Sequence, residues 1–224
     1  MRDPEEFLEL QIKHADRTAK ALATVDDSRL ICLNTLDFVQ KTLMAWLVSN
    51  RFSISFDKTK LSNAISTLED HSEVLLKSEG TNFTVYLLAC MITNSPPKEE
   101  ILTACKVQAE DINFLINASV VPYVYYGLVS SEDISAKLES EKNKKRQLAI
   151  DSAVKYLKLL SMSGLPNESD NIEIERLFKL RKSNAFYSES RIYGGGPDND
   201  YVCDLEFSAI VATKEGRGYA VPSS

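Results

Sequence analysis

Apolar positions along this chain recur three and four residues apart almost throughout, the spacing of one face of an α-helix. Asp3-Pro4-Glu5-Glu6 has the makings of a helix start: an acid at the N-cap, proline at the first helical position and early carboxylates. Phe7, Leu8, Ile12, Ala15, Ala19 and Leu22 then line one face. Asp26-Asp27-Ser28 opens a second helix carrying Leu30, Leu33, Leu36, Val39, Leu43, Trp46 and Leu47. Its apolar positions cover most of the circumference, which predicts a place at the centre of the core.

RFSISF (51–56) alternates and reads as a short strand or an extended loop. Asp57 and Thr59 offer caps for a helix through about Leu76, with Leu61, Ile65, Leu68, Val74 and Leu75 inward and Gly80 at its end. Asn82 to Thr93 is a short, strongly apolar helix stopped by Asn94-Ser95-Pro96-Pro97, the sharpest break in the first half. Lys98 to Ala118 resumes the helical period through Ile101, Leu102, Cys105, Ala109, Ile112 and Leu115. VVPYVYYGLVS (120–130) has no strand-like partner nearby and reads as helical or irregular and buried.

A long helix is expected from Glu132 to Met162, its charged middle LESEKNKKRQ followed by Leu148, Ile150, Val154, Leu157 and Leu160. A loop at 164–170 leads to a helix from Ile172 to about Tyr187, with Ile174, Leu177, Phe178 and Phe186 inward. Gly194-Gly195-Gly196 then joins it to a last helix capped by Asp200 and running to Lys214, with Val202, Leu205, Ala209 and Ala212 on one side and Gly216 at its end. The GYAVPS tail reads as a short extended segment or a tail lying on the bundle. The pattern predicts an all-α single domain over 1–224: a bundle of antiparallel hairpins with about nine helices, any subdivision falling near 95–97. No fixed-period repeat supports a solenoid.

Size and composition agree with an ordinary core. A chain of 224 residues buries about 70% of its unfolded surface without help from a metal or disulfide. No apolar run approaches the ~20 residues that span a bilayer, and MRDPEEFLELQIKHAD lacks the basic start and apolar middle of a secretory signal. The four cysteines, Cys32, Cys90, Cys105 and Cys203, lie far apart in apolar surroundings. They suit small buried hydrophobes in a reducing cytoplasm rather than a disulfide framework. The net charge of −6 argues against non-specific contact with nucleic acid and suits a basic partner.

Tests for catalytic chemistry come out negative. The two histidines, His14 and His71, have no second ligand at metal-binding spacing, and Asp70 beside His71 points to another helix face. Sequence signatures for a nucleophile elbow, a phosphate-binding loop or a dinucleotide fold are missing. The triple glycine is followed by Pro197-Asp198 and an acidic run that would repel phosphate. Arg181 followed by Phe186 and Tyr187 is similar to the arginine–histidine motif of helical HEPN ribonucleases. With Phe186 in the place of the histidine, no base is left to activate a 2′-hydroxyl, so a HEPN-like fold would be an inactive member, acting on RNA or within a toxin–antitoxin pair. Lys142 to Arg146 is the one basic cluster, and Glu141 with Lys145 makes it a solvated helix face. A pocket for a small molecule would need Trp46, Tyr123, Tyr125 and Tyr126 around it. No cofactor, catalytic residue or metal site is assigned.

The C-terminal third carries a resemblance. RLFKLRKSNAFYS is followed by a loop, an apolar helix and a motif of alanine, glycine, tyrosine, valine and serine at Ala212, Gly216, Tyr219, Val221 and Ser223. In this order the chain resembles the immunity protein 49 family of bacterial polymorphic-toxin systems. The resemblance covers about the last 50 residues, and upstream only helical character and size agree. It implies a non-enzymatic cytoplasmic protein that binds and occludes a cognate toxin domain, one that is basic and could be a nuclease, with no direct contact to nucleic acid or membrane.

Two acidic clusters could present carboxylates to such a partner. Asp198, Asp200, Asp204 and Glu206 fall within nine residues holding no lysine or arginine, and Glu168, Asp170, Glu173 and Glu175 surround a helix start. The competing role for both is helix capping and dipole complementarity.

Overall fold

The computed structural model describes residues 4–51, 57–77, 82–111, 120–140, 142–161 and 167–183. They form ten α-helices and no strand. In chain order these are α1 (Pro4–Leu22), α2 (Ser28–Arg51), α3 (Thr59–Asp70), α4 (Ser72–Leu76) and α5 (Asn82–Thr93), then α6 (Glu99–Ala109), α7 (Val121–Tyr125), α8 (Ser131–Leu138), α9 (Lys144–Ser161) and α10 (Glu168–Ser183). Of the extended reading of 51–56, Arg51 instead closes α2, and 52–56, the triple glycine, the last helix and the GYAVPS tail lie outside the described residues.

α1 and α2 pack as a hairpin joined by five residues, and Thr18 Oγ1 donates to Asp37 Oδ2 across it at 3.3 Å. The carboxylate of Asp27 accepts from the Leu30 N–H at 2.9 Å, satisfying one orphan donor at the start of α2. α3 packs on α2, and α9 with α10 makes a second paired unit.

The helix buried on all sides is α5, not α2. Every residue from Phe83 to Ile92 is buried, because this segment is apolar all round and meets α2, α3 and α7. α2 instead buries one side, through Cys32, Leu36, Val39, Leu43 and Trp46, while Leu30 and Leu33 remain 50% and 44% exposed. On α1, Ala15 is buried but Ala19 is exposed, against the expectation for that face. The buried side chains form one cluster reaching from Ala15 to Leu177, so it continues across the Pro96–Pro97 break.

Left-handed backbone ends two of these helices. Asn94 (φ 54°) follows α5, with Ser95 N–H donating to the Cys90 carbonyl at 3.0 Å and Asn94 N–H to that of Met91 at 3.2 Å. Gly127 (φ 68°) follows α7, with Leu128 N–H donating to the Tyr123 carbonyl at 2.8 Å and Gly127 N–H to that of Val124 at 3.1 Å. Both are Schellman endings that satisfy the last carbonyls.

Two expected helices are each divided. The segment after Thr59 breaks at His71 into α3 and α4, and Lys98 Nζ takes the Glu69 carbonyl at 3.1 Å beside the break. The helix expected over 132–162 ends as α8 at Leu138 and begins again as α9 at Lys144. Ser140 Oγ donates to the Lys137 carbonyl at 2.8 Å, a local bond that competes with the helical ladder. The charged LESEKNKKRQ offers no apolar face whose burial would outweigh it.

Candidate functional site

α10 opens with a reciprocal cap. Asn167 Oδ1 accepts from Asp170 N–H at 2.9 Å, and Asp170 Oδ2 accepts from Asn167 N–H at 3.0 Å. Asp170 is therefore engaged in starting the helix. Glu173 takes a two-point contact from Arg176, whose Nε and Nη2 each donate at 2.6 Å. That guanidinium holds the Glu173 carboxyl below its ordinary range. Glu175 approaches Lys179 at 4.0 Å.

Glu168 and Glu175, seven residues apart, share one face of α10, with Ile172 between them and 65% exposed. The second predicted cluster, Asp198, Asp200, Asp204 and Glu206, lies outside the described residues. Arg181 belongs to the last turn of α10, while Phe186 and Tyr187 fall outside the described residues.

The aromatic residues named for a small-molecule pocket are divided between core and surface. Trp46 and Tyr123 are buried, and Tyr125 is exposed and meets Tyr126 edge to face at 4.9 Å. Tyr123 Oη donates to Gln108 Oε1 at 2.7 Å and lies 3.2 Å from the buried Thr84 hydroxyl. This chain of contacts satisfies the Thr84 hydroxyl in the wholly buried stretch of α5. Tyr86 Oη donates to Glu69 Oε1 at 2.6 Å and accepts from the Lys98 N–H at 2.9 Å. Burial pushes the phenols of Tyr86 and Tyr123 above their ordinary value, so both stay protonated donors.

Cys32, Cys90 and Cys105 are buried free thiols. Among the described residues no group of three or more histidine, cysteine or acidic side chains is placed to hold a metal ion. No helix among the described residues is long and apolar enough to cross a membrane. Lys142 and Lys144 are exposed, and Lys144 Nζ donates to Gln147 Oε1 at 2.9 Å. The expected partner Glu141 lies outside the described residues.

Sequence reasoning missed a cleft between α1, α2 and α3 of about 260 Å³, lined among others by Asp16, Leu22, Phe38, Lys60 and Asn63. Lys60 Nζ donates to Asp16 Oδ1 at 2.9 Å across it. No short motif announces the pair, which joins residues 44 apart in the chain. The chain matches no protein-family model, no curated protein and no solved structure.

Proposed function

We propose that this protein is a non-enzymatic binding module that neutralises a cognate, basic toxin domain by occluding it. The observation that carries this reading is the solvent face of α10. Glu168 and Glu175 stand two turns apart there, on either side of the exposed Ile172. Carboxylates around an apolar side chain combine electrostatic steering with an anchor that loses water on contact. The net charge of −6 extends the attraction beyond the contact itself. The C-terminal resemblance to immunity proteins and the acidic segment Asp198, Asp200, Asp204 and Glu206 support the same partner chemistry.

Co-expression with a toxin reading frame found adjacent to this gene tests the proposal. Rescue of growth is the expected result, and unchanged killing overturns it. Reversing Glu168→Lys and Glu175→Lys together is expected to weaken toxin binding at least ~10-fold and to flatten its salt dependence, because like charges then face the partner. Toxin binding that ignores the reversal would remove α10 from the interface.

A further inference from the structure

The cleft between α1, α2 and α3 has a dipolar mouth above an apolar floor, and occlusion of a toxin through α10 uses none of it. Leu22 and Phe38 supply apolar surface, and Ala19 leaves the entrance open because its side chain stops at the β-carbon. At the mouth, Asp16 and Lys60 pair at 2.9 Å with both side chains about half exposed. An exposed pair of this kind contributes little to stability, so it exchanges partners readily. Asn63 lines the same opening, and its side-chain amide makes no hydrogen bond to another described residue.

The lining selects its occupant by charge and size. A carboxylate alone would leave Asp16 facing an anion, and an amine alone would leave Lys60 facing a cation. A molecule carrying both charged groups on one carbon replaces one ion pair by two and still meets the Asn63 amide. The volume of about 260 Å³ lies below the ~300 Å³ at which drug-sized pockets begin, too small for a nucleotide. We propose that this cleft binds a free aliphatic α-amino acid. Its ammonium contacts Asp16, its carboxylate contacts Lys60 and Asn63, and its side chain lies on Leu22 and Phe38.

Titrating the full-length, isotope-labelled chain with L-leucine tests this, read by the amide resonances of Ala19, Asn63 and Thr67. Saturable shifts are expected with leucine. The deaminated analogue 4-methylpentanoate, the decarboxylated analogue isoamylamine and the doubly blocked N-acetyl-leucine amide should each bind at least ~10-fold more weakly, having lost one or both charges. Ala19→Leu narrows the entrance from an exposed position, and Lys60→Met removes the cation. Both should abolish the shifts while circular dichroism and the urea midpoint confirm a folded chain. No saturable shift up to ~10 mM leucine overturns the proposal, as does any analogue binding as well as leucine. Leucine binding that survives Ala19→Leu overturns it too, by placing the ligand elsewhere.

Discussion

Tyr86 of α5 and Glu69 of α3 share a short hydrogen bond, Oη to Oε1 at 2.6 Å. The same phenol accepts the Lys98 N–H just before α6, and Lys98 Nζ returns to the Glu69 carbonyl. One side chain of α5 thereby ties the end of α3 to the start of α6. Tyr86→Phe keeps the ring and strands the Lys98 N–H and the Glu69 carboxylate. A loss of ~1–3 kcal/mol is expected, seen as a lower urea midpoint at unchanged slope. Glu69→Gln keeps an acceptor and should cost less. An unchanged midpoint for Tyr86→Phe would show that the bond contributes nothing net.

Gly127 isolates backbone strain from packing. Its φ of 68° is left-handed, and a β-carbon there would meet nothing within 4 Å. Gly127→Ala should therefore destabilise by about 1–2 kcal/mol through backbone conformation alone. Gly127→Asn should recover part of that, since asparagine tolerates this region. Equal stability of the alanine variant would mean that the α7 ending relaxes.

Glu132 on α8 accepts from Lys158 on α9 at 2.8 Å, and that hydrogen bond is the main reason its carboxyl is held at about 2 rather than 4.5. A depressed carboxyl stabilises the fold fully above its ordinary value, and the contribution fades as the pH falls from about 4.5 towards about 2. Both side chains are exposed, so the effect on global stability is small and screened by salt. The readout is the carboxyl resonance of Glu132, expected to titrate well below the ordinary 4.5. In Lys158→Met it should return towards 4.5. A Glu132 titration unmoved by that substitution would dissolve the pair in solution.

Cys90 and Cys105 test burial chemically. Desolvation pushes both thiols up to about 12, so at pH 8 neither offers thiolate to a reagent. Peptide mapping after native labelling with a disulfide reagent should find both unmodified, and brief unfolding should make them reactive. Raising the pH from 9.0 towards about 12 ionises the unfolded chain before these buried thiols. They therefore contribute a loss of stability with rising pH across that window. Rapid native labelling of either cysteine would show that the core around α5 and α6 opens readily.

Local chemistry was legible in the chain at several points. Asp27 caps α2, Asp57 Oδ1 accepts from the Thr59 N–H at 2.9 Å, and the Pro96–Pro97 break separates α5 from α6. The acids about α10 were legible as charges, but their employment was less so. Asp170 serves the cap and Glu173 serves Arg176, while Glu168 and Glu175 face outward, Glu175 with Lys179 4.0 Å away. The Asp16–Lys60 cleft was not legible, because its residues come from three helices and no spacing links them.

What the sequence by itself determined is the all-α class, most helix starts and stops, and the strongly apolar character of the α5 segment. Hydrophobic period, caps and proline act within a few residues of themselves, so they can be read without knowing the fold. Which apolar face wins burial was decided by tertiary structure. Leu30 and Leu33 have the same chemistry as Leu36 and Leu43, yet they stay exposed because none of the described helices packed on α2 covers that side. The breaks at His71 and after Leu138 belong to the same class. A helix continues only where burial of its next turn outweighs the local hydrogen bonds that compete with it, and that balance depends on what packs alongside.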